Sequence, residues 1–438
     1  MAVTLQLRPY QDEAADFLYE RDRAMILAPV GSGKTAITLA AMADALISGV
    51  VTRWLVVAPK RVCNEVWPIE LAKWAPMLTM SLALGSPAQR QAAFDQDTQI
   101  VVTNYDNLDK VQSLDSFDGI VFDELTRLKN PSGKRFKALE KLISTIPIRW
   151  GLTGSFTSNG LEDVFGQCKM IDQALLGRAK GAFLQKYFYC VNRDFGQWEP
   201  RESALPQVMD QIRSATYVLD AGEYADKLPP CHVVELQCKM DDMTHYKKMK
   251  ADYVASFANE TVIAQNAGAV TTKLQQMASG FVYGVDKQAI WFSSHKFDRL
   301  DELLAENQRA NTLIWYTYQE ELAELKRRYP SIQTTDSPDV VKRWNQGEIP
   351  LLAAHPKSFG HGINLQGQQH MVFLSLPWSL ELYEQAMGRL HRGGQKHAVW
   401  VYVLLTPDTI DQRIWSALHD KRSISDLAIE ELMNDRQD

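Results

Sequence analysis

Short apolar runs alternate with amphipathic stretches along most of this 438-residue chain. In the first half, five such runs are bounded by polar or turn-forming residues, at positions 24–28, 54–58, 100–103, 119–122 and 148–152. Continuous apolar runs of four or five residues are typical of strands buried on both faces, as in a parallel sheet. Helical patterns lie between them, for example from Thr35 to Ile47. The alternation of strand and helix predicts a doubly wound α/β fold with right-handed crossovers.

This alternation is interrupted between residues 156 and 228, where aromatic and polar residues increase and few strand-like runs occur. We therefore expect a mostly helical insertion there. The alternation resumes with apolar runs at 312–316, 351–354, 371–374 and 399–404. A helical pattern follows from Pro407 to the acidic C-terminus. The predicted organisation is an N-terminal lobe, 1–228, that includes the insertion, and a C-terminal lobe, 229–438, that ends in a helical tail.

Composition restricts the class of protein further. The chain is 45% hydrophobic and 23% charged, which is ordinary for a globular protein, and its net charge is -6. That charge argues against a protein that coats nucleic acid by bulk attraction, but it leaves room for a local basic groove. Cys231, His232 and Cys238 lack the paired spacing of a zinc site, so we expect reduced thiols. No apolar leader precedes the first strand, so we expect a soluble, intracellular protein without membrane association.

A glycine-rich segment joins the first predicted strand to the first long helix. Its sequence, APVGSGKT from Ala28 to Thr35, fits the phosphate-binding loop except that alanine replaces the first glycine. The glycines let backbone N–H groups surround a phosphate, and the helix N-terminus adds further donors. The alternative is a simple glycine turn, and a P-loop kinase would share the motif. The predicted nucleotide-binding residues of this loop are Pro29, Val30, Gly31, Ser32, Gly33, Lys34 and Thr35.

Two adjacent carboxylates, Asp123 and Glu124, end the apolar run that starts at Gly119. We expect Asp123 and the Thr35 hydroxyl to hold Mg²⁺, and Glu124 to polarise the attacking water as general base. A kinase needs the aspartate but rarely an adjacent glutamate, so the pair favours ATP hydrolysis. The alternative is a solvated strand end.

An arginine segment follows in the second half, with the sequence QAMGRLHRGGQ from Gln385 to Gln395. Arg389 and Arg392 are three residues apart, so on a helix they would share a face. Guanidinium groups suit the oxygens of a phosphoryl group in transfer. Because these arginines and Lys34 lie in different predicted lobes, we expect the catalytic site to form between the lobes. The alternative is a solvated basic surface.

With these motifs the chain resembles helicase superfamily two, and within it the Swi/Snf-type double-stranded DNA translocases. The resemblance extends from Leu7 to about Leu418 and implies two RecA-like lobes. Its most specific part is the H-R-x-G-Q ending from His391 to Gln395. One departure is Thr126, which replaces the histidine of the family's D-E-A-H block. The compactness of the chain is similar to that of small bacteriophage and prophage members.

The resemblance also implies roles for further residues. Arg8 and Gln11 correspond to the adenine-reading motif, Gly362 to a nucleotide-contacting motif, and Gln385 to the catalytic arginine motif. DNA contacts follow from the family's nucleic-acid motifs at Lys60, Thr103, Tyr105, Lys129, Lys134, Lys357, Asn364 and Trp378. The basic stretch from Arg127 to Lys137 could equally be a solvated face, and Trp378 a core residue. An aromatic stretch from Phe183 to Tyr189 is interpreted as a small core, with a duplex-contacting wedge as the alternative.

The sequence thus predicts a DNA-stimulated ATPase that translocates on double-stranded DNA, using ATP and Mg²⁺. It would contact mainly phosphates, with little sequence specificity, and act as a monomer in the cytoplasm of a bacterial or phage-infected cell. One alternative is a strand-separating DNA or RNA helicase. Another, from a different class, is an ATP-gated nucleic-acid-binding accessory protein that does not translocate.

Overall fold

The structure is a computed structural model that describes residues 6–29, 31–111, 113–157, 160–192, 197–219, 228–256, 261–264, 267–336, 339–357 and 364–433. The described chain divides into two compact units. The first contains residues up to 219 together with 421–433, and the second contains 228–420. Each unit is built around its own parallel sheet, which confirms the predicted two-lobe α/β architecture.

The first unit contains a seven-stranded sheet in the order β3-β4-β2-β5-β6-β1-β9, with every neighbouring pair parallel. Its strands are β1 Arg23–Leu27, β2 Trp54–Ala58, β3 Met80–Ala83, β4 Ile100–Asn104, β5 Gly119–Asp123, β6 Ile148–Thr153 and β9 Thr216–Val218. The central strands β2, β4 and β5 are buried along their whole length, which explains their uninterrupted apolar sequences.

Helices surround this sheet. They are α1 Pro9–Tyr19, α2 Lys34–Ile47, α3 Lys60–Glu65, α4 Trp67–Trp74, α5 Pro87–Asp95, α6 Lys134–Leu142, α7 Asp163–Ile171, α8 Gln173–Leu176, α9 Lys180–Tyr187 and α10 Ala204–Arg213. The insertion contributes α7 to α10, as predicted. It also contains a hairpin, β7 Phe188–Asn192 with β8 Gln197–Pro200, and the edge strand β9, which the sequence did not indicate.

The second unit contains a six-stranded parallel sheet in the order β10-β19-β18-β15-β17-β16. Its strands are β10 Cys231–Gln237, β15 Thr312–Trp315, β16 Gln333–Thr334, β17 Leu351–Ala354, β18 His370–Phe373 and β19 Val399–Leu405. Two small hairpins pair β11 Val254–Ser256 with β12 Thr261–Ile263 and β13 Phe281–Tyr283 with β14 Ala289–Trp291.

The helices of the second unit cover both faces of its sheet. They are α11 Thr244–Asp252, α12 Ala267–Ala278, α13 His295–Glu306, α14 Gln319–Arg328, α15 Val340–Asn345, α16 Leu380–Met387 and the start of α17 Ile410–Met433. One core contains Leu313 and Met371, and the core on the other face contains Ile314 and Phe297. Burying each such side chain contributes roughly 1.5–3 kcal/mol.

The C-terminal tail differs from the predicted organisation. The sequence predicted that the whole tail belongs to the second lobe, whereas residues from Lys421 onward are grouped with the first unit. Ala428 is buried in the core of the first unit, and the Ser425 hydroxyl lies 3.1 Å from that of Ser155. Apolar burial and a hydroxyl pair therefore attach the last turns of α17 to the first unit.

Candidate nucleotide hydrolysis site

The glycine-rich loop follows β1 directly, and α2 begins at Lys34. Gly31 and Gly33 have φ angles of 85° and 90°, a left-handed conformation that glycine adopts without a steric penalty. A Cβ atom at Gly33 would lie 2.2 Å from Nε2 of Gln11. The positive φ favours glycine at position 33, and a side chain there would also displace the Gln11 amide, as expected of a phosphate-binding loop. Val30 lies outside the described residues.

The ammonium group of Lys34 turns onto its own loop. Its Nζ donates to the carbonyl oxygen of Ala28 at 2.7 Å and to that of Pro29 at 2.9 Å. Both hydrogen bonds are made to neutral carbonyl oxygens of the loop. A phosphate oxygen entering the loop offers a charged acceptor to the same ammonium group, which makes a stronger hydrogen bond than a neutral carbonyl.

Gln11, in the first turn of α1, contacts the same loop. Its Nε2 donates to the carbonyl oxygen of Ser32 at 3.1 Å, and its Oε1 accepts from the backbone N–H of Arg8 at 3.0 Å. The side chain of Gln11 is buried, whereas Arg8 is exposed at the helix start. The structure thus brings the predicted adenine-reading glutamine against the phosphate-binding loop.

Asp123 ends β5 and is held from one side by a tryptophan. The indole Nε1 of Trp67, on α4, donates to Oδ2 of Asp123 at 3.0 Å. Burial, together with the nearby Glu124 carboxylate, raises the pKa of Asp123 to about 6 from its ordinary 3.8. Trp67 and Lys34 counteract that rise only in part. Sequence reasoning missed Trp67, since nothing in a linear motif links it to a residue 56 positions away.

Glu124 has a left-handed backbone, with φ of 65°, which is uncommon for a residue with a side chain. Two side chains surround this turn. The Tyr105 hydroxyl donates to the carbonyl oxygens of Asp123 and Glu124, at 2.9 and 3.4 Å. The Thr126 hydroxyl donates to Oε1 of Glu124 at 3.0 Å. Burial raises the pKa of Tyr105 well above its usual value, so the phenol remains a donor.

These residues fit a bound divalent cation. Asp123 is a hard oxygen ligand whose pKa is raised by burial and by the Glu124 carboxylate, and a metal ion would stabilise its charged form. Thr35 lies in the first turn of α2 and provides the hydroxyl that such loops use as a second ligand. Within the described part of the chain no cluster of three or more His, Cys, Asp or Glu residues could hold a metal by itself. This composition suits Mg²⁺, which is bound by few protein ligands together with phosphates.

The carboxyl end of β6 lies between the phosphate loop and the carboxylate pair along the edge of the sheet. Strand β6 lies between β1 and β5, with Thr153 paired to Leu27 and Leu152 paired to Asp123. Because all three strands are parallel, their carboxyl ends meet at one edge of the sheet, where α/β folds bind ligands. The Ser155 hydroxyl, just beyond β6, accepts from the backbone N–H of Thr157 at 3.2 Å. The phosphate loop, its lysine and the carboxylate pair are therefore neighbours in one unit.

The arginine segment of the second unit corrects one expectation. Helix α16 ends at Met387, so Arg389 and Arg392 lie in the turns that follow it and do not share a helix face. Gly388 directly follows the last residue of the helix, and glycine is a poor helix former. Arg389 is 2% exposed, while Arg392 is half-buried. Gln385 is buried on α16 and its Nε2 donates to Oε1 of Glu381.

Two residues beside the arginines hold this segment in place. Nε2 of His391 donates to the carbonyl oxygen of Pro229 at 2.8 Å. Nε2 of Gln395 donates to the carbonyl oxygens of Gln366 and Gln368, at 3.0 and 2.9 Å. These hydrogen bonds explain the H-R-x-G-Q pattern in part, because its first and last residues anchor the turns that carry Arg392.

The predicted DNA-contacting residues include both buried and exposed side chains, and the prediction is wrong for two buried ones. Thr103 and Tyr105 are buried. The Thr103 hydroxyl donates to the carbonyl oxygen of Ala83, and Tyr105 bonds to the carboxylate turn, so neither faces solvent. Burial of Thr103 agrees with the prediction that residues 100–103 form a strand buried on both faces, and it conflicts with a DNA contact. Tyr105 instead links the end of β4 to the turn that carries Asp123 and Glu124.

The other candidates lie nearer the surface. Lys60 and Lys134 are exposed at the first positions of α3 and α6, and Lys357 is exposed in the second unit. Trp378 is 41% exposed, so it is not a core residue. Two more side chains have bonds within their own unit: Lys129 forms an ion pair with Asp163 at 3.4 Å, and Asn364 accepts from the backbone N–H of Gln366. Gly362 lies outside the described residues.

The aromatic stretch of the insertion is mainly core. Phe183, Tyr187 and Phe188 are buried in the core of the first unit. The ring centroid of Phe183 lies 5.2 Å from that of Tyr187 and 5.6 Å from that of Phe188. Tyr189 is exposed on the hairpin. The core interpretation thus holds for three of the four aromatic residues.

Together, a phosphate-binding loop beside a carboxylate pair and a second sheet carrying an arginine segment define an ATP hydrolase of the helicase type. Comparison with known proteins gives the family. Residues 10–282 match the SNF2-related domain, and residues 295–394 match the helicase conserved C-terminal domain. The chain belongs to the SNF2-related family, as its motifs predicted. No helix in the described part of the chain is both long and apolar enough to span a bilayer.

The chain is also similar to individual proteins. Protein p41 of Acyrthosiphon pisum secondary endosymbiont phage 1 is 34% identical over 98% of each chain. The uncharacterized ATP-dependent helicase YqhH of Bacillus subtilis (strain 168) is 22% identical over 97% of this chain and 80% of its own length. The solved Sulfolobus solfataricus SWI2/SNF2 ATPase core in complex with dsDNA is 21% identical, with a TM-score of 0.48, over 98% of this chain and 94% of that one.

Proposed function

We propose that this protein is a DNA-stimulated ATPase that translocates on double-stranded DNA and hydrolyses ATP between its two lobes. The observation that carries the proposal is the carboxylate pair, Asp123 and Glu124, held by side-chain hydrogen bonds at the sheet edge where the phosphate loop ends. Groups fixed in this way before substrate arrives do not have to reorganise during the reaction.

Each group has a chemical role in this proposal. Lys34 exchanges its loop carbonyls for the β- and γ-phosphate oxygens, and the N-terminus of α2 supplies backbone donors. Glu124 accepts a proton from the attacking water. Arg392 neutralises charge that develops on the transferred phosphoryl group. Thr35 and Asp123 would hold Mg²⁺, which would supply positive charge to neutralise the phosphates. Gln11 and Arg8 would contact the adenine, with Gly362, Gln385 and Arg389 near the phosphates.

Movement on DNA follows from the division of these groups between two units. If ATP is needed to bring the arginine segment to the phosphate loop, binding draws the lobes together and hydrolysis releases them. Exposed cations such as Lys60, Lys134 and Lys357 would bind the phosphates of the DNA, and the exposed Trp378 would be a further contact from the second unit. Membership of the SNF2-related family supports this assignment.

The first experiment is an ATPase assay with no nucleic acid, duplex DNA, single-stranded DNA and RNA. We expect duplex DNA to stimulate turnover most. Equal rates in all four conditions, or strongest stimulation by RNA, would contradict the DNA-translocase proposal. Negligible turnover in all four would instead support the alternative of an ATP-gated accessory protein.

Translocation and strand separation need separate assays. A translocating motor displaces the third strand of a triplex without opening the duplex, and a helicase separates a forked duplex. We expect displacement without separation. Separation of forks would favour the helicase alternative, which is the activity in the name of the relative YqhH.

We also propose that the protein acts as a monomer in the cytoplasm of a bacterial or phage-infected cell. The similarity to a phage protein along the full length of both chains supports this setting. Light scattering after size-exclusion chromatography should give the mass of one chain, 49.6 kDa. A mass near twice that value would overturn the monomer assignment.

A further inference from the structure

The residue that departs from the family block, Thr126, contacts the proposed general base directly. Thr126 is buried, and its hydroxyl donates to Oε1 of Glu124 at 3.0 Å. A threonine hydroxyl can donate to a carboxylate, whereas a carboxylate only accepts. The direction of the hydrogen bond is therefore fixed by the chemistry of the two groups.

The rest of the carboxylate turn is already fixed by other residues. Trp67 binds Oδ2 of Asp123, and the Tyr105 hydroxyl binds the carbonyl oxygens of Asp123 and Glu124. The left-handed φ of Glu124 confines its backbone to a small region of conformational space. These contacts hold the backbone of the turn, whereas Thr126 binds the side-chain carboxylate of Glu124.

Thr126 is also well placed to hold that carboxylate in one orientation. Its carbonyl oxygen accepts from the backbone N–H of Lys129 at 3.3 Å, which closes the 3₁₀ turn Leu125–Leu128. A β-branched side chain has few accessible χ1 rotamers, so a fixed backbone gives a hydroxyl with a defined position. Valine has nearly the same shape and lacks only the donor, while serine keeps the donor and loses the methyl group.

We propose that Thr126 is a positioning residue that orients the Glu124 carboxylate for proton abstraction from the attacking water. This inference rests on the hydrolytic step of the proposed function. In that step the water oxygen bonds to the γ-phosphorus as the bond to the β,γ-bridging oxygen breaks, with its electron pair going to ADP. The water proton goes to Glu124. The hydrogen bond from Thr126 to Oε1 would restrict the orientation of the carboxylate that accepts this proton.

The test compares Thr126→Val with Thr126→Ser. The matched control is Thr216→Val, which removes another buried threonine hydroxyl of the first unit, one that donates only to the backbone carbonyl of Ile212 at 2.8 Å. A misaligned general base loses part of its ~10²–10⁴-fold contribution. We therefore expect Thr126→Val to lower kcat by roughly tenfold or more, with the KM for ATP within about twofold of wild type. Thr126→Ser should restore most of kcat, and Thr216→Val should leave it unchanged.

A cycle with Glu124→Gln separates positioning from general damage. If Thr126 acts only through Glu124, Thr126→Val causes no further loss of kcat in the Glu124→Gln background. A kcat at the wild-type level in Thr126→Val, a loss confined to KM, or the same further loss in the Glu124→Gln background would overturn the proposal. The proposal would also be overturned if Thr126→Ser failed to restore kcat while Thr126→Val had the same melting temperature as Thr216→Val.

These assays distinguish a failure of the proposed hydrolytic mechanism from a failure of the proposed role of Thr126. Full hydrolysis by Glu124→Gln would reject the general base, and with it the hydrolytic mechanism on which the inference depends. An inactive Glu124→Gln with a fully active Thr126→Val would reject only the role of Thr126. All rates are measured both with and without duplex DNA, so an absence of DNA stimulation bears on translocation alone.

Discussion

The indole N–H of Trp67 donates to Oδ2 of Asp123 at 3.0 Å, in a region where both side chains are buried. This hydrogen bond offsets only part of the free-energy cost of burying a charged carboxylate. The pKa of Asp123 accordingly remains raised, to about 6, because burial and the Glu124 carboxylate outweigh the donors around it. Above that pH, Asp123, the proposed metal ligand, therefore carries a negative charge that its surroundings disfavour.

Replacing Asp123 with asparagine should therefore stabilise the protein when no divalent metal is present. The folded pKa exceeds the ordinary 3.8, so the folded state retains the proton between about pH 4 and pH 6, and wild-type stability falls as the pH rises through that window. Asp123→Asn should exceed wild type by up to about 3 kcal/mol at pH 8, with no difference below about pH 4. Urea unfolding in EDTA measures this.

Asp118→Asn is the matched control, with the opposite sign. Although burial raises the pKa of Asp118, hydrogen bonds from Thr52 and Arg53 outweigh it and lower the pKa overall. The variant should be less stable than wild type at pH 8, and the difference should shrink as the pH falls below 3.8. Parallel pH profiles for the two variants would refute this account of Asp123.

Lys34→Ala should abolish ATP hydrolysis. The substitution removes the ammonium group that now bonds to Ala28 and Pro29 and that would bind the phosphates. Steady-state phosphate release measures the effect. Lys73→Ala, which removes an exposed lysine of α4 that lies over the Trp74 ring, is the control and should keep the wild-type rate. Retained turnover in Lys34→Ala would reject the phosphate-loop assignment.

Arg392→Ala should leave ATP affinity nearly intact and lower turnover at least ~10³-fold, the usual effect of an arginine finger. Binding of a fluorescent ATP analogue and single-turnover hydrolysis measure the two quantities separately. Arg343→Ala, which breaks an exposed ion pair with Glu348 in the same unit, should change neither. If Arg392→Ala weakens binding and turnover equally, the arginine contributes to ground-state affinity and not to the transition state.

DNA affinity should fall steeply with salt, because phosphate contacts release counterions. Each lost phosphate contact lowers the slope of log K against log salt by about 1. Lys134→Ala should show that reduction, whereas Lys326→Ala, on α14 and outside every motif, should match wild type. Fluorescence anisotropy with duplexes of unrelated sequence measures the slopes. A flat salt response in the wild-type protein would contradict binding through the phosphate backbone.

The sequence predicted the central strands well, and the reason is physical. Strands such as β2 and β5 are buried on both faces, so their apolar residues run without interruption. Strand β10 lies at a sheet edge with four of its seven residues exposed and none buried, and it has no such run. In the hairpin, β8 has no buried residue, and β7 buries only its first residue, Phe188. Edge elements depend on pairing partners that are remote in sequence, and local patterns do not reveal those.

The candidate site was predictable where local geometry is fixed by sequence, as in the loop from Ala28 to Thr35. It was not predictable where a residue acts across the fold. Tyr105 was expected on the DNA side and instead holds the carboxylate turn, and Trp67 was not expected at all. A linear motif gives the residue type and its neighbours, whereas burial and the direction of a side chain depend on the assembled sheet.

The left-handed backbone of Glu124 marks a position where folding and chemistry favour different residues. A glycine adopts a φ of 65° freely, while a residue with a side chain is strained there by roughly 1–2 kcal/mol. Glycine at this position would relieve that strain but would lack the carboxylate that we propose activates water. On this proposal, the turn gives up stability for chemistry, and variants selected only for heat resistance would tend to lose the proposed base first.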